Sequence, residues 1–242
     1  MLCNPHNPLG RCYPQEVIIE LMKLCQKYQL HFVSDEIYAF SVWENKEDPF
    51  PPATSFVSAL SIPLEGIIDP ERVHVLWGMS KDFGANGIRL GFMISQHNAQ
   101  FLRALQFVAI YSSTSSISEH VAANVLEDEA WTDNYITTNQ RKLSEAYSHA
   151  ISFLREHGIS YTPGANAGFF LWVDLGKAYR ERHANSTASN KKLTQALLDN
   201  KVFIGDGTVF GAENPGIFRL VFTHPKEYLA EGLRRMLKAI EQ

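Results

Sequence analysis

Between Glu16 and Tyr28 the apolar side chains Val17, Ile18, Leu21, Leu24, Cys25 and Tyr28 recur at helical spacing, with charged and amide groups between them. The pattern predicts an amphipathic helix with one buried stripe. Pro14-Gln15-Glu16 opens it, with proline near the first turn, where a missing N–H costs nothing. Leu30-His31-Phe32-Val33-Ser34-Asp35 then reads as a short apolar strand that ends in a carboxylate. Residues 44–71 hold Pro49, Pro51, Pro52, Pro63 and Pro70 and are expected to be mainly loop with short elements. Val73-His74-Val75-Leu76-Trp77 is the next strand, and Ile88 to Ser95, apolar nearly throughout, is another. Strands apolar on both faces and alternating with helices predict an α/β fold, a mainly parallel sheet covered on both sides. A helical pattern begins near Asn98, and the Ser/Thr cluster from Ser112 to Ser116 breaks it.

From about Trp131 to His157 the pattern is one long helix, closed by Gly158. Strands near 159–162, 167–174, 202–204 and 217–222 follow, alternating with helices near 189–200 and 225–240. This order predicts a small C-terminal α+β domain. The expected domains are 1–130, a connecting helix 131–158, and 159–242. The polar stretch from Arg180 to Asn190 is read as an exposed loop.

Composition narrows the function classes. The 242 residues are 45% hydrophobic and 20% charged, enough for one large core or two modest ones. A net charge of -4 and a pI near 6.1 offer no basic surface to nucleic acid. No apolar run approaches the ~20 residues of a membrane span. The start, Met1-Leu2-Cys3-Asn4-Pro5, shows neither the charged nor the apolar region of a secretory signal. Cys3, Cys12 and Cys25 form no CxxC pair, and a reducing cytoplasmic setting is the simplest one. Asn185-Ser186-Thr187 fits a glycosylation sequon that such a setting would leave silent. The nine histidines are scattered without an HxxxH pair, so no metal site is expected.

Lys81 stands in Trp77-Gly78-Met79-Ser80-Lys81-Asp82-Phe83-Gly84, with Arg89 eight residues on. A lysine amine forms a Schiff base with a carbonyl, while the Ser80 hydroxyl and the Arg89 guanidinium suit a phosphate. Gly84 and Gly87 let the backbone turn back after the lysine. Asp35, at the carboxyl end of a strand, is either a cap or loop residue or the partner of a protonated pyridine nitrogen. Tyr38 is either a core residue with a wet tip or a hydrogen-bond donor to a ring oxygen. Glu36 is set aside, because strand alternation points it away from Asp35. Asn7, in Asn4-Pro5-His6-Asn7-Pro8-Leu9-Gly10, lies in plain turn chemistry, although its amide can donate to a phenolate-like oxygen. Arg219, within Ile217-Phe218-Arg219-Leu220-Val221-Phe222, is a charge in an apolar strand. Either an internal ion pair or an incoming carboxylate would satisfy it.

Together these segments resemble the class I/II aminotransferases of pyridoxal-phosphate fold type I, nearest the 1-aminocyclopropane-1-carboxylate synthase-like branch. The motifs that carry the likeness are the Asn-Pro-x-Asn-Pro-x-Gly turn, Ser34-Asp35-Glu36-Ile37-Tyr38, Ser80-Lys81-Asp82-x-Gly84 with Arg89, and the Phe218-Arg219 strand. Ala165-Asn166-Ala167-Gly168-Phe169-Phe170 with Trp172-Val173-Asp174-Leu175 is a softer fifth. The resemblance implies a partial fold type I large domain and a small domain, with pyridoxal 5'-phosphate as cofactor. It implies Lys81 as the Schiff-base lysine and as the amine that removes the α-proton once freed. Asp35 would pair with the pyridine nitrogen, Asn7 and Tyr38 would bond the ring hydroxyl, and Ser80 and Arg89 would hold the phosphate. Arg219 would take the substrate α-carboxylate.

Transamination of an amino acid with a keto acid is the activity implied. Synthase-like or C–S lyase elimination on the same scaffold, or a catalytically inactive fragment, are the alternatives. A homodimer is implied too, with Ser112 to Ser116 near its boundary. Two positions depart from the family pattern. Gly78 stands where a hydroxyl is usual, and Asp206-Gly207-Thr208 replaces a Pro-Gly-Ser turn. The sheet-edge motif comes within three residues of Met1, so an N-terminally truncated member is expected, with weak cofactor binding, little turnover and exposed apolar faces.

Overall fold

Three short strands, β1 (Leu2–Cys3), β2 (Phe32–Asp35) and β3 (Val73–Gly78), run parallel and side by side, and β4 (Gly91–Ile94) returns antiparallel along β3. The computed structural model describes residues 1–183 and 189–242. The chain folds as two compact units, one of Met1–Asn7, Arg11–Val42 and Thr54–Gln140, the other of Pro8–Gly10, Trp43–Ala53 and Arg141–Gln242.

In the first unit, helix α1 (Gln15–Lys27) packs Ile18 and Met22 against Phe32, Val73 and Val75 of the sheet. Ala59, Ile62 and Ile68 from the proline-rich connection complete that core. The connection itself is loop with short helical turns at Ala59–Ser61 and Pro70–Arg72, as its prolines predict. The buried stripe of α1 differs from the expected one. Ile18, Leu21, Met22 and Cys25 face inward, spaced by three and four, while Val17, Leu24 and Tyr28 are exposed on the flank beside them. The sequence pattern merged two neighbouring stripes into one face.

Beyond β3 come α2 (Met79–Asp82), α3 (Ala99–Ala109) and α4 (Ser116–Glu127). Asn98 starts α3, accepting the Phe101 N–H on its side-chain oxygen at 2.7 Å. No residue of α3 is buried, and Phe107, Val108, Ile110, Tyr111 and Ile117 are all strongly exposed. Helix α5 (Glu129–Glu156) follows; its residues belong to the first unit up to Gln140 and to the second from Arg141.

The second unit has a fully antiparallel sheet in the order β5 (Ser160–Tyr161), β6 (Phe170–Asp174), β8 (Ile217–Val221) and β7 (Gly205–Asp206). Its core joins Leu171, Val173, Phe218 and Phe222 to Tyr147 and Leu154 of α5, Leu193 of α7 (Asn190–Asp199) and Leu233 of α8 (Lys226–Glu241). Two expectations change here. The strand predicted near 202–204 forms at Gly205–Asp206, because pairing with β8 begins only at Gly205, opposite Arg219. A helix that the residue pattern did not predict, α6 (Leu175–Arg182), occupies the start of the expected loop. Asp174 caps α6 by accepting the Lys177 N–H at 2.7 Å, and Leu175, Ala178 and Tyr179 are buried. Gly176 hides the helical signal but is required, since a Cβ there would lie 2.7 Å from the Gly216 Cα. The sequon at Asn185 lies outside the described residues.

Asp48 anchors the proline-rich strip Trp43–Ala53 into this unit. Its side chain is 3% exposed and accepts from Tyr147 Oη, Tyr161 Oη at 2.8 Å, Asn45 Nδ2 at 3.0 Å and the Gly164 N–H at 3.1 Å. Arg155 adds an ion pair at 3.1 Å. Burial alone would raise the carboxyl's pKa, but the bonds from Tyr147, Asn45, Gly164 and Tyr161 outweigh it and hold it below normal. The same network pushes Tyr161 up to about 12, through burial first and the Asp48 bond second. A folded pKa below the unfolded value of about 3.9 stabilises the fold above that pH and stops doing so as pH falls through the folded value. Asp48→Ala is therefore expected to cost about 3 kcal/mol in urea unfolding at pH 7. Asp48→Asn should flatten the acid limb of stability against pH, and an unchanged limb would show that the network does not set it.

Candidate functional site

The parallel pairing brings the carboxyl ends of β1, β2 and β3 to one edge of the sheet. Cys3 stands opposite Asp35, and Asp35 opposite Leu76, so β1 and β2 end at one level while β3 runs two residues further, to Gly78. Ligands of open α/β sheets bind at such an edge. Asn7 follows β1, Asp35 ends β2 with Tyr38 just beyond, and Ser80 and Lys81 follow β3 on α2.

Asn4 holds the first exit. It is fully buried, its N–H donates to the Asp35 carbonyl at 2.9 Å, and its side chain accepts the Tyr13 N–H at 3.0 Å and donates to the Val57 carbonyl at 3.3 Å. This anchoring role was not legible in the sequence, where Asn4 and Asn7 look alike. Asn7 is half-buried, and its backbone N–H faces the Cys3 sulfur.

The Asp35 carboxylate is half-buried and accepts the Ile37 N–H at 3.3 Å. Burial raises its pKa, and that hydrogen bond offsets the rise only in part. A cationic ring nitrogen would reverse the shift, so the carboxylate suits a protonated pyridine. Glu36 points the other way, as alternation predicts. It is buried and accepts the Ala59 N–H at 2.8 Å. Tyr38 is buried on the loop after β2.

Lys81 is exposed and Ser80 half-buried, in the turn that follows β3 without a connecting loop. Arg89 is also exposed, takes a left-handed backbone at φ 54°, and donates from Nη1 to the Asn86 carbonyl at 2.9 Å. That bond leaves further guanidinium N–H donors for an anion. Gly78 ends β3 opposite Gly91 of β4. A Cβ there would sit 3.0 Å from the Leu90 carbonyl oxygen, which accounts locally for the missing hydroxyl-bearing side chain.

Arg219 lies in the second unit on β8, with its guanidinium 4.2 Å from the Phe210 ring centre and 5.4 Å from that of Phe170. These aromatic neighbours come from separate segments, Phe170 from the end of the Ala165–Phe170 motif and Phe210 from a stretch that no motif marks. Asp82, beside Lys81, is a further residue that the motifs left without a role; it is buried and takes hydrogen bonds from three residues. A charged residue between Lys81 and Phe83 was the available signal. His31 and His74, scattered in sequence, also meet: His31 Nδ1 lies 2.8 Å from His74 Nε2, and His74 Nδ1 lies 2.9 Å from Ser95 Oγ. Among the described residues no group of three or more His, Cys, Asp and Glu is arranged to hold a metal.

The donor set of the first unit fits pyridoxal phosphate by its chemistry. It holds an amine for the aldehyde, a carboxylate for the ring nitrogen, an amide and a phenol for the ring oxygen, and a hydroxyl and a guanidinium for the phosphate.

Known proteins give the same reading of the fold. The chain is 34% identical over 242 residues to mouse 1-aminocyclopropane-1-carboxylate synthase-like protein 1, covering all of this chain and 45% of that protein. It is 33% identical over 243 residues to the probable aminotransferase gliI of Aspergillus fumigatus, covering 99% and 54%. A pyridoxal-phosphate-bound putative aminotransferase from Clostridium difficile 630 superposes with a TM-score of 0.79 at 22% identity, over 99% of this chain and 57% of that one. The chain thus spans about half the length of the relatives it matches, and the two sheets form part of a fold type I architecture. The family model for aminotransferase class I and II runs from residue 1 to 236, from β1 into α8, and the chain belongs to that family.

Proposed function

We propose that this protein is a pyridoxal-phosphate-dependent enzyme that transfers an amino group between an α-amino acid and a keto acid, with Lys81 as the cofactor-bearing lysine. The observation that carries the reading is the strand register: Asp35 stands opposite Leu76, and Lys81 follows five residues later at the same edge. Bound pyridoxal phosphate supplies an electron sink for the bond that breaks at the substrate α-carbon.

The chain's own groups do the rest. Lys81 Nζ takes the α-proton and returns it. Asp35 holds the positive charge of the ring nitrogen, and burial strengthens that pairing. Asn7 and Tyr38 donate to the ring oxygen, and Ser80 and Arg89 hold the phosphate. Arg219 grips the α-carboxylate through paired N–H donors, its plane steadied by Phe210 and Phe170. Residues 1–130 act as the cofactor domain, 131–158 as the connecting helix and 159–242 as the small domain. The proposal includes a homodimer, supported by the exposed apolar residues of α3 and α4, and a cytoplasmic setting, supported by three free cysteines.

A second reading, cofactor binding without turnover, is favoured by Gly78, whose missing hydroxyl removes one phosphate donor.

Adding pyridoxal phosphate is expected to produce a visible absorbance band that borohydride fixes onto the chain. Lys81→Ala should abolish both, and an unchanged band in that variant would overturn the reading. Arg219→Ala should leave the band in place but weaken binding of an α-keto acid by roughly 10- to 100-fold, the worth of a charge-assisted pair of hydrogen bonds. Titration of the band's change with keto acid measures this. Equal affinities would remove Arg219 from the carboxylate site, and a band that forms but releases no keto acid when an α-amino acid is added would favour the second reading.

A further inference from the structure

Asp82 is 2% exposed, and its carboxylate joins two separate segments. Oδ2 accepts the Phe40 N–H at 3.1 Å and the Trp77 Nε1–H at 2.9 Å, and Oδ1 accepts from Ser41 Oγ at 2.7 Å. Phe40 and Ser41 belong to the loop that leaves β2 and carries Tyr38, while Trp77 lies on β3. Asp82 itself closes the short helix that presents Lys81. Aromatic contacts surround the junction. Phe40 meets Trp77 edge-on at 5.6 Å, and Phe83 stacks on Tyr135 at 5.1 Å.

A buried carboxylate is a costly way to join two segments. Burial raises the Asp82 pKa, and its hydrogen bonds from Ser41, Trp77 and Phe40 offset the rise only in part. Apolar residues of similar volume often stabilise such a site as well or better. What they cannot do is set the spacing and direction of two segments through directional bonds.

We propose that Asp82 is a positioning residue that sets Lys81 against the Tyr38 loop, and that it acts through its accepted hydrogen bonds rather than its charge. The inference rests on the reading of Lys81 as the cofactor lysine. Asparagine can reproduce the three bonds. Its amide oxygen takes the place of Oδ2 for both N–H donors, and its amide N–H turns toward Ser41 Oγ, which accepts. Alanine leaves the Phe40 N–H and the Trp77 Nε1–H without that acceptor.

The test compares wild type, Lys81→Ala, Asp82→Asn, Asp82→Ala and the double variant Ser41→Ala/Trp77→Phe. Each is titrated with pyridoxal phosphate by visible absorbance, and the pH at which the band of the lysine-bound cofactor titrates is recorded. Circular dichroism on the same samples establishes that they are folded. Asp82→Ala is expected to bind the cofactor about tenfold or more weakly and to shift that pH, while Asp82→Asn stays within about threefold of wild type at an unshifted pH. The double variant removes two of the bonds without touching Asp82. It should fall between the two and decides the matter if the alanine variant does not fold. A folded Asp82→Ala that matches wild type, or an unchanged double variant, overturns the inference. An Asp82→Asn as weak as alanine overturns the claim that hydrogen bonding rather than charge is the cause. If wild type and Lys81→Ala give the same spectrum, the proposed function falls and this inference falls with it; loss of the Asp82 effect alone leaves that function standing.

Discussion

Parallel pairing of β1, β2 and β3 aligns Cys3 with Asp35 and Asp35 with Leu76, and the placement of the candidate catalytic groups in the first unit follows from that ladder. A slip of one residue in β2 would exchange the faces of Asp35 and Glu36. The Glu36 carboxylate would then stand at the exposed strand edge, and the Ala59 N–H would lose its acceptor. Burial of Phe32, Val73 and Val75 against Ile18 and Met22 opposes such a slip, because the same shift would turn the apolar set of β2 outward. The apolar core therefore fixes which carboxylate meets the ligand edge.

Three aspartates show how surroundings set the role of one side chain. Asp48 is buried among two tyrosine hydroxyls, an amide and a backbone N–H, and their hydrogen bonds outweigh its desolvation. Asp82 is buried too, but there desolvation prevails over the hydrogen bonds it accepts. Asp35 is half-buried with a backbone donor at 3.3 Å, which leaves it suited to a cation. The first staples a loop, the second joins two segments, and the third faces the ligand edge. Charge and residue type are the same in all three.

Much of the site is legible in the chain because its motifs are local. Ser80, Lys81 and Arg89 lie within ten residues, and Asp35 and Tyr38 within four, so turn chemistry and strand ends place them. The shared helical spacing of α1 misled over Val17, Leu24 and Tyr28, since period alone cannot separate two adjoining stripes. Gly176 hid α6, because glycine disfavours a helix unless a close neighbour demands it, and Gly216 is that neighbour. The core contacts of Asp82 and the meeting of His31 with His74 depend on strand register, to which composition is blind.

The linear order of residues by itself determined the family, the parallel-rich first sheet, the small α+β unit and the identity of the candidate lysine, carboxylate and guanidinium groups. These follow from periodicity and from short motifs in which neighbours in sequence are neighbours in space. Tertiary structure alone decided that the strip Trp43–Ala53 joins the second unit through Asp48, that Arg219 lies against Phe210 and Phe170, and that Asp82 ties the lysine turn to the loop after β2. Hydrogen bonds and ring contacts between segments far apart in the chain form only once the sheet register has brought those segments together.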